Sequence, residues 1–255
     1  MSRYKYDFFC SLGLDCTMAG CLRMAKARSF SGPFDWLDGG TLETRINLIN
    51  TGFKDFLNRD DLEEIILKKD SQPDKKRYKN TRTGLCFHHD WLAANPFLSE
   101  YISVKEKYDR RINRFMNLLA KQRGCLFVFD KHGQISKKEL VKAASLLSPK
   151  HTIVCISNDA TMKTTDIKEL KYADNVWHYF INNEPFDFSV RFNTFLGNYV
   201  RTVEIIDKFK QYLRQVRKTP LYIKILVRFI ACFIPCRKQR HNFRKKFIKG
   251  ENTDD

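Results

Sequence analysis

Two hydrophobic spacings take turns along this chain: short unbroken apolar runs, and stretches where apolar residues return every third or fourth position. The runs at residues 8–10, 125–129, 151–156 and 175–181 predict strands. Residues 84–91 (GLCFHHDW) join them, because that run is too short for a helix. The stepped stretches predict helices. One starts at Asp15-Cys16 and carries Met18, Cys21, Leu22 and Ala25 on one stripe; the others span 41–56 behind a Thr cap, 104–122, 136–147 and 194–216. Shorter helices are expected at 62–69 and 164–172. The polar, Pro-containing segment 70–83 (DSQPDKKRYKNTRT) reads as a mobile surface loop.

Strands alternating with helices predict an α/β fold: a mostly parallel central sheet flanked by helices over residues 1–218, followed by a basic C-terminal helical tail over 219–255. Ligands of open parallel sheets bind at the carboxyl edge of the strands. In that frame Asp15-Cys16 follow the first strand and His88-His89-Asp90 the second. Asp130 follows the third and Ser157-Asn158-Asp159 the fourth, so all four groups are expected at one edge.

The chemistry this suggests is a Cys–His pair. A thiol at a helix start faces unpaired N–H groups and the positive end of the macrodipole. The dipole contributes only about 0.3–1 kcal/mol, against about 1.36 kcal/mol for one pKa unit. Cys16 therefore needs an imidazole to take its proton, and Asp15, read as the N-cap, works against it. His89 or His88 would be the base, with Asp90, Asp35 or Asp130 orienting the ring. The N–H groups of Cys16 and Thr17 would form an oxyanion hole. His88, Arg110, Arg111, Arg114 and Asp130 are the candidate substrate-binding residues; the three arginines lie on the polar face of the 104–122 helix and suit an anionic ligand.

Composition narrows the choices. The eight cysteines show no CxxC pair and no Cys/His zinc spacing, so free thiols in a reducing compartment are expected and no metal. There is no Walker loop or dinucleotide glycine pattern, and Cys16 to Arg23 leaves six residues where a tyrosine-phosphatase loop has five. No cofactor is expected. Of the net charge of +17, residues 208–249 supply +14, having 14 Lys or Arg and no Asp or Glu. The apolar part of that tail, 221–236, is broken by Lys224, Arg228 and Pro235 and is too short to span a bilayer. An apolar face flanked by basic residues suits an anionic membrane surface, with nucleic acid the rival partner.

SLGLDC followed by a Leu-Arg helix, then SGPFDWL, FHHDW and VKEKYDRRINRF, resembles a bacterial family of unknown function described as papain-like cysteine peptidases. The resemblance runs from about residue 8 to 157 and implies Cys16 as nucleophile and His89 as its base. The function expected is thus a thiol hydrolase of cysteine-peptidase type acting on an unknown peptide, cytoplasmic and peripheral to the inner face of the membrane. Two alternatives remain open. One is acyl transfer by the same pair in surface-polysaccharide biosynthesis, and the other is a non-catalytic, membrane-associated binding module.

Overall fold

Four of the apolar runs become strands of one sheet. In the computed structural model, which describes residues 5–66, 74–184 and 197–214, β1 (Phe8–Ser11), β6 (Gly124–Asp130), β7 (Thr152–Asn158) and β9 (Val176–Ile181) lie parallel, with β8 (Lys168–Ala173) antiparallel on the outside. Every residue of β6 is buried, as befits a strand covered on both faces. Its alternate side chains feed two cores. Cys125, Phe127 and Phe129 meet α1 (Thr17–Met24) and α5 (Tyr199–Lys210), the last helix among the described residues, through Met18, Leu22, Ile205 and Phe209. Leu126 and Val128 belong to a larger core with α2 (Leu42–Asn50), α3 (Phe97–Lys121) and α4 (Lys137–Ser145). These elements fall in a compact unit, Met1–Leu213.

The second strand of the expected parallel order is elsewhere. β5 (Leu85–Leu92) is antiparallel and central in a separate sheet of order β2-β5-β4-β3, with β2 at Leu37–Gly39, β3 at Leu62–Ile65 and β4 at Lys75–Asn80. Leu85, Phe87 and Trp91 are buried with more exposed residues between, the period-two pattern of a half-covered antiparallel strand rather than a parallel one. The ring of Tyr108 on α3 stands edge-on to Phe87 at 5.5 Å, so α3 closes this sheet over the larger core.

Three further expectations change. Residues 62–65 form β3 and not a helix, and 67–69 lie outside the described residues. The expected loop at 70–83 contains β4, whose Tyr78 packs on Trp91 at 4.8 Å. Within 164–172 the chain forms β8, the edge strand, where alternating exposure lets charged residues pair along β9. The helices at 41–56 and 136–147 are shorter than expected but start where their caps put them: Thr41 and Ser136 each form a capping box. α3 begins earlier than residue 104, behind Pro96, and α5 begins behind Asn198, whose side chain accepts the Arg201 N–H. Among the described residues no helix is long and apolar enough to cross a membrane. The expected tail, 219–255, lies outside the described residues.

Candidate active site

The loop between β1 and α1 sets the position of the thiol. Gly13 and Leu14 both take positive φ, +81° and +82°, which is ordinary for glycine and costly for leucine. A Cβ on Gly13 would stand 2.8 Å from the Phe34 carbonyl oxygen, so only glycine lets the SLGLDC loop sit on the SGPFDW turn. The turn is itself tied: Asp35 accepts the Gly32 N–H at 2.8 Å and pairs with Arg28 at 2.8 Å, while Arg28 lies over the Trp36 ring at 5.5 Å. Chain reversal at Gly13-Leu14 delivers Cys16 to the N-cap position of α1. The cap bonding comes from Asp15, whose carboxylate accepts both the Thr17 N–H at 2.8 Å and the Thr17 hydroxyl at 3.0 Å. Thr17 therefore has no amide to offer an oxyanion, contrary to expectation.

The imidazole arrives from the other sheet. Lys76 of β4 pairs with Trp91 and Tyr78 with Phe87, so His88, His89 and Asp90 together face Arg77 alone. A bulge of this kind breaks alternation and re-aims side chains. It brings His89 Nε2 to 3.9 Å from Cys16 Sγ, across 73 residues of sequence. His88 Nε2 instead stands 3.6 Å from Asp38 Oδ2 on β2. Cys16 is 8% exposed, while His89 beside it is open to solvent.

Electrostatics at the pair oppose a preformed ion pair. Burial, then the carboxylates of Asp15, Asp38, Asp35 and Asp90, push the Cys16 thiol up to about 12. Partial desolvation lowers His89 below its ordinary 6.5; Asp90 opposes this, and His88, Arg77 and Lys75 add to it. Near neutral pH the site therefore holds a neutral thiol beside a neutral imidazole.

Residues 7–168 match the family described as "Putative papain-like cysteine peptidase (DUF1796)". This chain belongs to that family. It is also 29% identical over 204 residues, 70% of this chain and 90% of the relative, to "Uncharacterized protein R408" of Acanthamoeba polyphaga mimivirus. A viral relative gives no support to the bacterial setting expected above. No solved structure matches. The family segment contains Cys16, the SGPFDW turn and His89, and it stops at the start of β8, so β9 and α5 lie beyond it.

The remaining expected residues scatter. Asp90 is turned to α3, where Lys107 pairs with it and the Tyr108 hydroxyl donates to it at 2.9 Å. Arg111 lies over the Tyr108 ring at 5.4 Å and its charge reaches Asp35, whereas Arg110 is exposed and Arg114 half-buried. Asp130 ends β6 and accepts from the Ser157 hydroxyl at 2.9 Å and the Ile135 N–H at 2.8 Å. It also borders a 410 Å³ cleft at the carboxyl edge of the parallel sheet, together with Leu14, Asp15, Asp38, Thr41 and Glu139. Among the described residues no group of His, Cys, Asp and Glu is placed to hold a metal ion.

Sequence reasoning missed Arg45. Its side chain is fully buried on α2, Nη1 donates to the Thr41 carbonyl at 3.2 Å, and Nε and Nη2 have no hydrogen-bond partner. Burial lowers it to about 10 against the pull of Asp38 and Asp15, and its guanidinium braces the Gly13 turn from behind. Asp38 was missed as well. Neither carries a sequence signal beyond position in an amphipathic pattern.

Proposed function

We propose that this protein is a thiol hydrolase of the cysteine-peptidase type in which Cys16 is the nucleophile and His89 its general base. The observation that carries the reading is the 3.9 Å approach of Sγ to Nε2 from two different sheets, with the imidazole accessible from solvent. Family membership over residues 7–168 supports the same chemistry. Because both groups rest neutral, His89 takes the thiol proton as the C–S bond to the substrate carbonyl forms, rather than beforehand. The imidazolium then gives that proton to the leaving amine, and a water activated by the regenerated imidazole hydrolyses the thioester. Asp15, the residue before Cys16, lines a neighbouring cleft together with Asp38, Asp130 and Glu139, and these carboxylates favour basic side chains in a polypeptide substrate.

The test is to incubate the protein with a mixture of unstructured peptides and identify new termini by mass spectrometry. Cleavage that disappears in both Cys16→Ala and His89→Ala is expected. Cleavage that survives Cys16→Ala would end the proposal, and so would its absence in the intact protein. The composition of residues 219–249 further supports attachment to an anionic bilayer, at about 1 kcal/mol per basic residue near the surface. Co-sedimentation with anionic vesicles should weaken when Arg244, Lys245 and Lys246 become Gln; unchanged binding would remove that part.

A further inference from the structure

A second cavity lies at the edge of the parallel sheet opposite to the Cys16 loop. It has a volume of 510 Å³ and opens at the amino edge of the parallel sheet, where Tyr6 precedes β1, Thr152 begins β7 and Trp177 is the second residue of β9. Its rim carries five cations, Lys5, Arg123, Lys150, Lys171 and Lys208, against two carboxylates, Glu169 and Asp174. Its floor is aromatic. Trp177 and Tyr179 lie nearly parallel, 12° apart, and Phe209 of α5 stands edge-on beneath both at 5.8 and 6.1 Å. Trp177 remains partly open to solvent, and Tyr212 at the mouth is 38% exposed.

The cations are arranged over the rings. Lys171 Nζ lies 5.3 Å from the Trp177 centroid, Lys208 5.4 Å from Tyr179 and Lys5 5.1 Å from Tyr212. Lys171 and Lys208 also pair with Asp174 and Glu169, at 2.8 and 3.2 Å, on carboxylates that solvent screens and that an incoming anion displaces cheaply. Ammonium groups beside a partly exposed indole are what a phosphate joined to a planar base engages together. A bilayer fits less well, since the rings line a concavity and do not protrude as an apolar face. Leu213, paired with Tyr6 next to the cleft, leads into residues 214–249, which hold basic residues and no acidic one, so positive charge continues along the sequence from this edge.

We propose that this amino-edge cleft binds a nucleotide unit, its base on Trp177 and its phosphate among Lys5, Lys150 and Lys171. The site is independent of the Cys16 chemistry and stands or falls without it. Shared base-plus-phosphate chemistry allows a free nucleotide or a unit within a single strand, and the experiment separates the two.

Full-length protein is titrated with adenosine monophosphate and with a labelled single-stranded oligonucleotide of about 12 residues, following tryptophan fluorescence and anisotropy. Quenching by either probe is expected. Its loss in Trp177→Phe, with anisotropy binding retained, would assign the stacked ring, since Phe keeps the packing against Phe209 and only the indole goes. The double variant Lys150→Glu, Lys171→Glu, checked for an unchanged melting temperature, should weaken binding at least about tenfold. Strand affinity should fall about tenfold between roughly 50 and 200 mM salt. Quenching by the mononucleotide marks a free-nucleotide site; quenching by the strand alone marks a nucleic-acid site. Quenching that persists in Trp177→Phe, or affinity within about twofold in the double variant, would overturn the proposal. So would an anionic phosphatidylglycerol vesicle that binds through the same lysines while neither nucleotide probe does.

Discussion

Two nucleophile–imidazole pairs lie toward the carboxyl end of the parallel sheet, and they are opposite in kind. Ser157 and His178 are 2.8 Å apart, 0% and 1% exposed, and part of a saturated chain. The Tyr172 hydroxyl donates to His178 Nδ1, His178 Nε2–H to Ser157 Oγ, and Ser157 O–H to Asp130 Oδ2. Cys16 and His89 are 3.9 Å apart, more loosely placed, and meet at the seam between two sheets. By hydrogen-bond quality the serine pair is the better one. Yet no substrate reaches it, and each of its donors already has an acceptor, so its chemistry is spent on holding β6, β7, β9 and β8 together. Access distinguishes a reactive pair from a structural one, and distance alone does not.

The comparison is broken most severely by Cys16→Ala. Hydrolysis should fall at least about a thousandfold, roughly 4 kcal/mol of transition-state stabilisation, while urea unfolding moves by less than about 1 kcal/mol. A stability loss without an activity loss would reverse the assignment of the two pairs. His178→Ala should do the opposite, lowering the unfolding free energy by about 3 kcal/mol, with Ser157→Ala costing about 1–2 kcal/mol, as for buried partners left unsatisfied. Both are read from urea midpoints.

Acid sharpens the contrast. Burial holds His178 and His151 down at about 4, against 6.5 when unfolded. The unfolded chain then binds more protons between those values, so stability is lost as pH falls from 6.5 to about 4, by up to about 3 kcal/mol for each histidine. A calorimetric melting series over that range should show the decline, and His178→Ala should remove about half of it. Stability that is flat across the window would contradict the buried, neutral state of both rings. Smallest of all is Arg110→Gln, an exposed change expected to alter stability by less than about 0.5 kcal/mol and to leave hydrolysis untouched.

What the sequence made legible follows the same division between saturated and open parts. β1, β6, β7 and β9 were readable because strands buried on both faces must be continuously apolar, and α2 and α4 because Thr41 and Ser136 announce their starts. β3, β4 and β8 were not, since LEEI, KKRYKN and KELKYA carry charge on their solvent side and look like loop or helix. The placement of FHHDW in the parallel sheet failed for a related reason. Leu85, Phe87 and Trp91 keep a period of two, but the polar His89 between them, in the bulge at His88–Asp90, hides it in the sequence. His89 lies in that same stretch, 3.9 Å from Cys16 through a topology the pattern could not disclose, while Asp90 turns to α3 and Asp130 to Ser157. Arg45 and Asp38 stayed invisible because tertiary packing alone gives them their surroundings.

The central claim is a neutral thiol whose proton passes to His89 only during attack. Its most direct test is the rate of Cys16 alkylation by iodoacetamide across pH, with the modified residue identified by mass spectrometry. The rate should rise through a single acid limb below 6.5 as His89 loses its proton, stay level through neutral pH, and climb again only toward about 12; in His89→Ala the level region should vanish. A plateau already present at about pH 4, or one that His89→Ala leaves intact, would contradict it.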